Sequence, residues 1–122
     1  MISSTVSPFA HNPARNPPIW IGGSGQRRTL PIAARWADVW HTYGAPEQLA
    51  ALSARLDQLA EASGRDPGAI TRASSLSLSE PWDDVRRNAA AMRDVGIGYL
   101  VCGWPSEGRE RVAEFAERVL PE

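Results

Sequence analysis

The residues best suited to chemistry form one run: Ile19-Trp20-Ile21, then Gly22-Gly23-Ser24-Gly25, then Gln26-Arg27-Arg28. An apolar, strand-like stretch stops abruptly in glycines and a serine, and a helix-like stretch from Gln26 to Trp36 follows at once. Without a Cβ, glycine lets the backbone turn sharply and brings its N–H groups close to a ligand. The N-terminus of a helix behind it adds unpaired N–H donors and a partial positive charge. The N–H groups of Gly22, Gly23, Ser24 and Gly25 are therefore a candidate seat for an anion such as a phosphate, with Arg27 and Arg28 placed to pair with it. A plainer reading is equally open on spacing alone. The glycines only tighten a strand-to-helix turn, and the arginines are solvated.

A second group, His41, Thr42 and Tyr43, closes the next apolar stretch. These residues are candidates for a substrate or ring pocket, with His41 as a proton carrier. No acidic residue lies beside them in sequence except Asp38, which falls at the opposite end of the strand, so a polar rim is the alternative. Trp104, before Pro105, is either an aromatic wall for a flat ring or core. Arg109 and Arg111 are weaker anion partners than Arg27 and Arg28. Cys102 sits among apolar neighbours with nothing to lower its pKa, which describes an inert thiol. Asp83 and Asp84 suit a helix N-terminus electrostatically. The histidines and the cysteine are too scattered for a metal site. No residue is assigned a catalytic role.

The elements that position these groups alternate. Leu30, Ala33, Ala34 and Ala37 recur at helical spacing, and Pro31 lies where a missing N–H costs least. Val39 to Tyr43 is a second strand, ended by Gly44. Pro46 suits a first helical position, and Leu49, Leu52, Leu56 and Leu59 make one apolar face. Gly64 ends that helix, and Arg65-Asp66-Pro67-Gly68 is turn chemistry. A third, more polar strand runs from Ile70 to Leu78. Ser79 is the expected N-cap of a helix from Trp82 to Val95. Tyr99 to Cys102 forms the fourth strand, and Ser106 and Glu107 open a last helix. The fold class is thus α/β, with four βα units. The strands lie near 18–22, 39–43, 70–78 and 98–103, after an irregular lead-in over residues 1–16 and within a domain over 17–122.

Parallel strands with right-handed crossovers bring all strand C-terminal ends to one edge. That edge carries Gly22 to Gly25, His41 to Gly44, Ser79 to Trp82 and Gly103 to Ser106, and ligands bind there in α/β folds. A chain of 122 residues with net charge −1 and interspersed charges favours neither nucleic acid nor an anionic membrane surface. It contains no apolar run near the roughly 20 residues needed to span a bilayer. A single cysteine suits a reducing, cytoplasmic setting. Four strands leave one question open. Either helices close over both faces of a flat sheet, or the sheet curves and a second half completes it, supplied by another copy or by a partner carrying the first four strands.

The run Pro17-Pro18-Ile19-Trp20-Ile21-Gly22-Gly23-Ser24-Gly25, with Arg28-Thr29-Leu30 and Ala34-Arg35-Trp36-Ala37-Asp38-Val39-Trp40, resembles the bacterial luciferase-like monooxygenase family. The branch it looks most like uses the deazaflavin coenzyme F-420. Gly64-Arg65-Asp66-Pro67 and Met92-Arg93-Asp94-Val95-Gly96-Ile97-Gly98-Tyr99-Leu100-Val101 are similar to the same branch. The resemblance implies the C-terminal half of a (β/α)8 TIM barrel, strands five to eight, without the first-half acid and base motifs. It implies an oxidoreductase moving a hydride between coenzyme F-420 and a small organic substrate, with flavin mononucleotide (FMN) as the alternative cofactor. A non-catalytic half-barrel that only associates is the third reading. Gly22, Gly23, Ser24 and Gly25 match the family's loop that contacts the phosphate-bearing tail of the cofactor.

Overall fold

The computed structural model describes residues 17–120; the lead-in expected over 1–16 lies outside the described residues. The chain runs β1 (Trp20–Gly22), α1 (Thr29–Trp36), β2 (Val39–His41), α2 (Pro46–Ala62), a 3-10 turn (Pro67–Ala69), β3 (Thr71–Leu76), α3 (Trp82–Asp94), β4 (Tyr99–Cys102) and α4 (Arg109–Arg118). The strands form one sheet in the order β1-β2-β3-β4. Every pairing is parallel: Gly22 lies beside His41, His41 beside Ala73, and Ala73 beside Tyr99. Among the described residues no helix is long and apolar enough to cross a membrane.

The strands alternate between two unlike faces. Ile21, Trp40, Leu76, Leu100 and Cys102 point to the helices and join their apolar clusters. On α1 and at its C-cap the buried residues Leu30, Ala33, Ala34 and Ala37 are mostly small, which lets Leu56 and Ala60 of α2 come close beneath Trp40. The other face holds Trp20, Val39, His41, Thr71, Ala73, Ser75, Tyr99 and Val101. No described helix covers it: Trp20, Tyr99 and Val101 are 45%, 42% and 38% exposed. The rings of Trp20 and Tyr99 meet edge to face with centroids 5.2 Å apart. They stand on the first and fourth strands, about 14 Å apart in a flat sheet. The sheet is therefore strongly concave. Of the two architectures left open by the sequence, the described residues adopt the curved one, with helices on one face of the sheet only.

The strands are shorter than the 18–22, 39–43, 70–78 and 98–103 read from sequence, and three helix starts also differ from expectation. The helix predicted from Gln26 begins at Thr29, because the carbonyl of Gly25 accepts from the amide of Leu30 (2.8 Å) across a wide turn. Ser79 does not cap α3. The carbonyl of Pro81 accepts from the amides of Asp84 and Val85, at 2.9 and 3.0 Å, and the Ser79 hydroxyl donates to Glu107 instead. Ser106 and Glu107 precede α4 rather than open it, since Gly108, at φ +89°, stands between them and Arg109.

At the N-terminal end of the strands, buried Arg72 ties β3 to α2. Its guanidinium donates to the Ser53 hydroxyl (2.5 Å) and carbonyl (3.1 Å), to Asp57 Oδ1 (2.7 Å), and to the carbonyls of Ile70 (3.1 Å) and Pro67 (2.9 Å). Arg65 Nη2 donates to the carbonyl of Ala37 (2.6 Å), and its Nη1 reaches that of Ala34 (3.4 Å), closing the C-terminal end of α1. Replacing Arg72 with Met strands several buried acceptors, each worth about 1–3 kcal/mol when left unsatisfied. Arg72→Met should therefore lower unfolding free energy by about 2–4 kcal/mol. Asp57→Asn, at a half-exposed carboxyl, should cost under about 1 kcal/mol. Urea denaturation of both variants checks the contrast.

Candidate functional site

The carboxyl ends of the strands converge on one rim. At its first corner β1 ends in Gly22, and the Gly23 amide extends the ladder by donating to the carbonyl of His41 (2.9 Å). The Gly23 carbonyl accepts from the indole Nε1 of fully buried Trp40 (2.8 Å). Gly23 has φ +125°, and a Cβ there would stand 3.1 Å from Thr29 Cγ2; a Cβ on Gly25 would stand 3.0 Å from Thr29 Oγ1. The left-handed φ of Gly23 calls for glycine, and at Gly25 a side chain would have to push the Thr29 hydroxyl aside for the corner to stay folded against the start of α1. At Gly22 there is room, with the nearest atom 3.6 Å away.

The expected row of bare amides is accordingly displaced. The Gly23 amide is spent on His41, whereas those of Ser24, Gly25, Gln26, Arg27 and Arg28 find no acceptor among the described residues. Gly25 to Thr29 line an open depression of about 630 Å³. Arg27 and Arg28 are exposed there, and no acidic residue stands in the first turn of α1. The corner is a cluster of donors with unopposed positive charge, which is what binding of an anion requires.

His41 stands on the strand beside the corner, level with Gly22. Its Nε2 lies 3.1 Å from Ser75 Oγ, and its ring meets that of Tyr43 at 90° with centroids 5.0 Å apart. Thr42 is turned inward and buried. Its amide donates to Ala73 (3.3 Å), and its carbonyl accepts from Ser74 Oγ (2.6 Å). Tyr43 and Trp104 are 74% and 71% exposed, so Trp104 is not core. The structure therefore joins His41 to Tyr43 and to Ser75, the latter not anticipated from sequence. A polar residue at an inward position of an otherwise small-residue strand was the available signal.

Elsewhere on the rim, Ser79 donates to Glu107 (2.9 Å), linking the loops before α3 and α4. A bond from its own backbone amide, then the Ser79 hydroxyl, hold the Glu107 carboxyl below its ordinary range. Arg111 lies over the ring of Trp82, 3.8 Å from its centroid, and donates to the carbonyl of Leu78 (2.6 Å), so it faces α3. Burial pushes the Cys102 thiol up, away from activation. Among the described residues no cluster of three or more His, Cys, Asp or Glu could hold a metal ion.

Comparison with known proteins fits this geometry. A family model described as luciferase-like monooxygenase matches residues 4–96. An F420-dependent secondary alcohol dehydrogenase, solved in complex with an F420-acetone adduct, superposes with a TM-score of 0.69 at 13% identity, over 88% of this chain and 49% of that one. A coenzyme F420-dependent tetrahydromethanopterin reductase from Methanopyrus kandleri superposes with a TM-score of 0.67 at 11% identity, over 85% of this chain and 50% of that one. The chain thus spans about half the length of these solved relatives. No curated protein matches the sequence.

Two expectations follow from the rim. Gly23→Ala should lower stability by about 1–3 kcal/mol, because both its φ and the Thr29 contact oppose a side chain. Gly22→Ala should cost less than about 1 kcal/mol. Thermal melts of the pair separate the two. Because the folded pKa of Glu107 lies below its ordinary 4.5, the Ser79 bridge is fully present above pH 4.5 and is lost as pH falls through the folded value. Ser79→Ala should move the Glu107 titration, followed by NMR, upward toward 4.5.

Proposed function

Because the chain belongs to the luciferase-like monooxygenase family, we propose that its strand-to-helix corner grips the phosphate-bearing tail of a deazaflavin, coenzyme F-420, within a barrel of which this chain supplies half. The carrying observation is the open donor set from Ser24 to Arg28, with no carboxylate among it. Gly22 and Gly23 shape the approach, and Ser24 and Gly25 present their amides. Arg27 and Arg28 add charge that neutralises the bound anion. The fit is to phosphate chemistry in general, which FMN shares. The solved relatives described as F420-dependent favour the deazaflavin.

When bound, the deazaflavin supplies a hydride acceptor and donor toward a small organic substrate. The role of this chain is to bind and to shape. His41, oriented by Ser75, sets a polar group on the concave face one strand from the anion seat. Tyr43 and Trp104 give exposed aromatic surface at the mouth, suited to a flat ring or an apolar substrate.

Titration of the purified chain with coenzyme F-420, FMN and inorganic pyrophosphate, followed by calorimetry, tests this. Saturable F-420 binding, displaced by pyrophosphate, is expected. Arg27→Glu with Arg28→Glu should weaken it at least about tenfold, or about 1.4 kcal/mol, and added salt should weaken it further. Saturable binding of FMN alone would transfer the reading to a flavin. A folded chain that binds none of the probes would overturn the seat.

A further inference from the structure

We infer that Trp40 is a positioning residue of the anion seat: its indole N–H, donated from within the core, aims the Ser24 amide at the bound anion. The inference rests on the seat proposed above and concerns what builds it. Gly22, Gly23 and Gly25 give the corner no side chains with which to hold its own peptide planes. Three hydrogen bonds hold it instead. The Gly23 amide donates to the His41 carbonyl (2.9 Å), the Leu30 amide donates to the Gly25 carbonyl (2.8 Å), and Trp40 Nε1 donates to the Gly23 carbonyl (2.8 Å). Of these, only the last comes from a side chain, so it is the one that a substitution can remove.

The sense of that bond decides where the next amide points. A trans peptide is flat, and its C=O and N–H point in opposite directions. The Gly23 carbonyl and the Ser24 amide belong to one such plane. Drawing the carbonyl inward to the indole therefore turns the Ser24 amide outward. Ser24 is exposed, and its amide has no acceptor among the described residues. An indole N–H donates and never accepts. Were the plane to turn over, the Ser24 N–H would face the indole N–H, donor against donor, and the Gly23 oxygen would face the anion. Trp40 thus favours the one orientation that sets a donor toward the seat.

Burial makes the indole a firm pin. Trp40 is fully buried, in a cluster with Leu30, Ala33 and Ala34 of α1 and Leu56 and Ala60 of α2. The helix that packs on its ring also carries Thr29, which lies against Gly23 and Gly25. The seat is thereby held in register with the core. Phenylalanine would fill much of the same space but has no donor, so what tryptophan adds at this position is the N–H.

Calorimetric titration of the full chain with inorganic pyrophosphate and with coenzyme F-420, together with amide NMR spectra of the free protein, tests this. Trp40→Phe removes the donor. In case that variant does not fold, benzothienylalanine installed at position 40 keeps the shape of the ring and replaces its N–H by sulfur. Loss of the donor should weaken binding of both probes at least about tenfold, as expected when one hydrogen bond to a charged group is lost. Arg27 and Arg28 still meet the anion, so the salt dependence of binding should remain that of the parent. The Ser24 amide resonance should move without any ligand present. A fluorinated tryptophan at position 40, which keeps the N–H, should restore both affinity and resonance. A merely structural tryptophan would lower thermal stability and leave the affinity of the folded protein unchanged. A folded variant without the N–H that binds like the parent, or whose Ser24 amide does not move, overturns this inference and leaves the seat standing. A folded parent that binds neither probe overturns the seat and this inference together.

Discussion

The constraint on which the structure depends is strand polarity. Four parallel strands joined by right-handed crossovers must send every connecting helix to the same side when the sheet curves, and every βα loop to the same edge. One face of the sheet is then packed by helices, while the other is closed only if the ring of strands is completed. The unlike burial of neighbouring residues follows directly: Trp40 is fully buried, whereas Trp20 is 45% exposed one strand away. Trp40 stands on an inner strand and turns toward the helices, whereas Trp20 stands on edge strand β1 and turns toward the open face.

The same polarity explains how the rim is built. Gly22 to Gly25 form the first loop at the carboxyl edge, and the neighbouring strand supplies what holds them. The carbonyl of His41 takes the Gly23 amide, and the indole of Trp40 takes the Gly23 carbonyl. A loop pinned on both polar groups of one residue is rigid without using its later amides. The plain reading of the glycines and the anion-binding one are therefore not rivals. Gly23, at φ +125°, and Gly25 lie close against Thr29, while the amides from Ser24 to Arg28 make no backbone bond among the described residues.

Much of this was legible in the sequence because it is periodic. The 3-4 spacing of Leu30, Ala33, Ala34 and Ala37, and of Leu49, Leu52 and Leu56, reports the faces that meet in the core. The α/β alternation and the location of the glycine corner follow from such local patterns and from the family resemblance. What the sequence left hidden depends on partners distant along the chain. Arg72 reads as an ordinary polar residue in a serine-rich strand until Ser53 and Asp57 arrive from α2. Ser79 carries the signature of a helix cap, yet a partner 28 residues away takes its hydroxyl, and the Pro81 carbonyl serves the helix start instead. Trp104, read as wall or core, is exposed because the loop after β4 has no described neighbour to cover it.

The two ends of the strands treat their polar groups in opposite ways. At the amino end they are spent on the fold. Asp38 Oδ2 accepts from the Ile19 amide at 2.7 Å, Arg65 closes α1, and Arg72 makes its bonds to α2 and the turn before β3. At the carboxyl end the amides from Ser24 to Arg28 remain open, and Tyr43 and Trp104 stand in solvent. Exposed amides are satisfied by water and so leave this end free to exchange that water for a ligand without loosening the core. Barrels of this class keep stability at one end and chemistry at the other. The four described strands divide their polar groups in the same sense, so that division is built into each βα unit and does not wait for a closed ring.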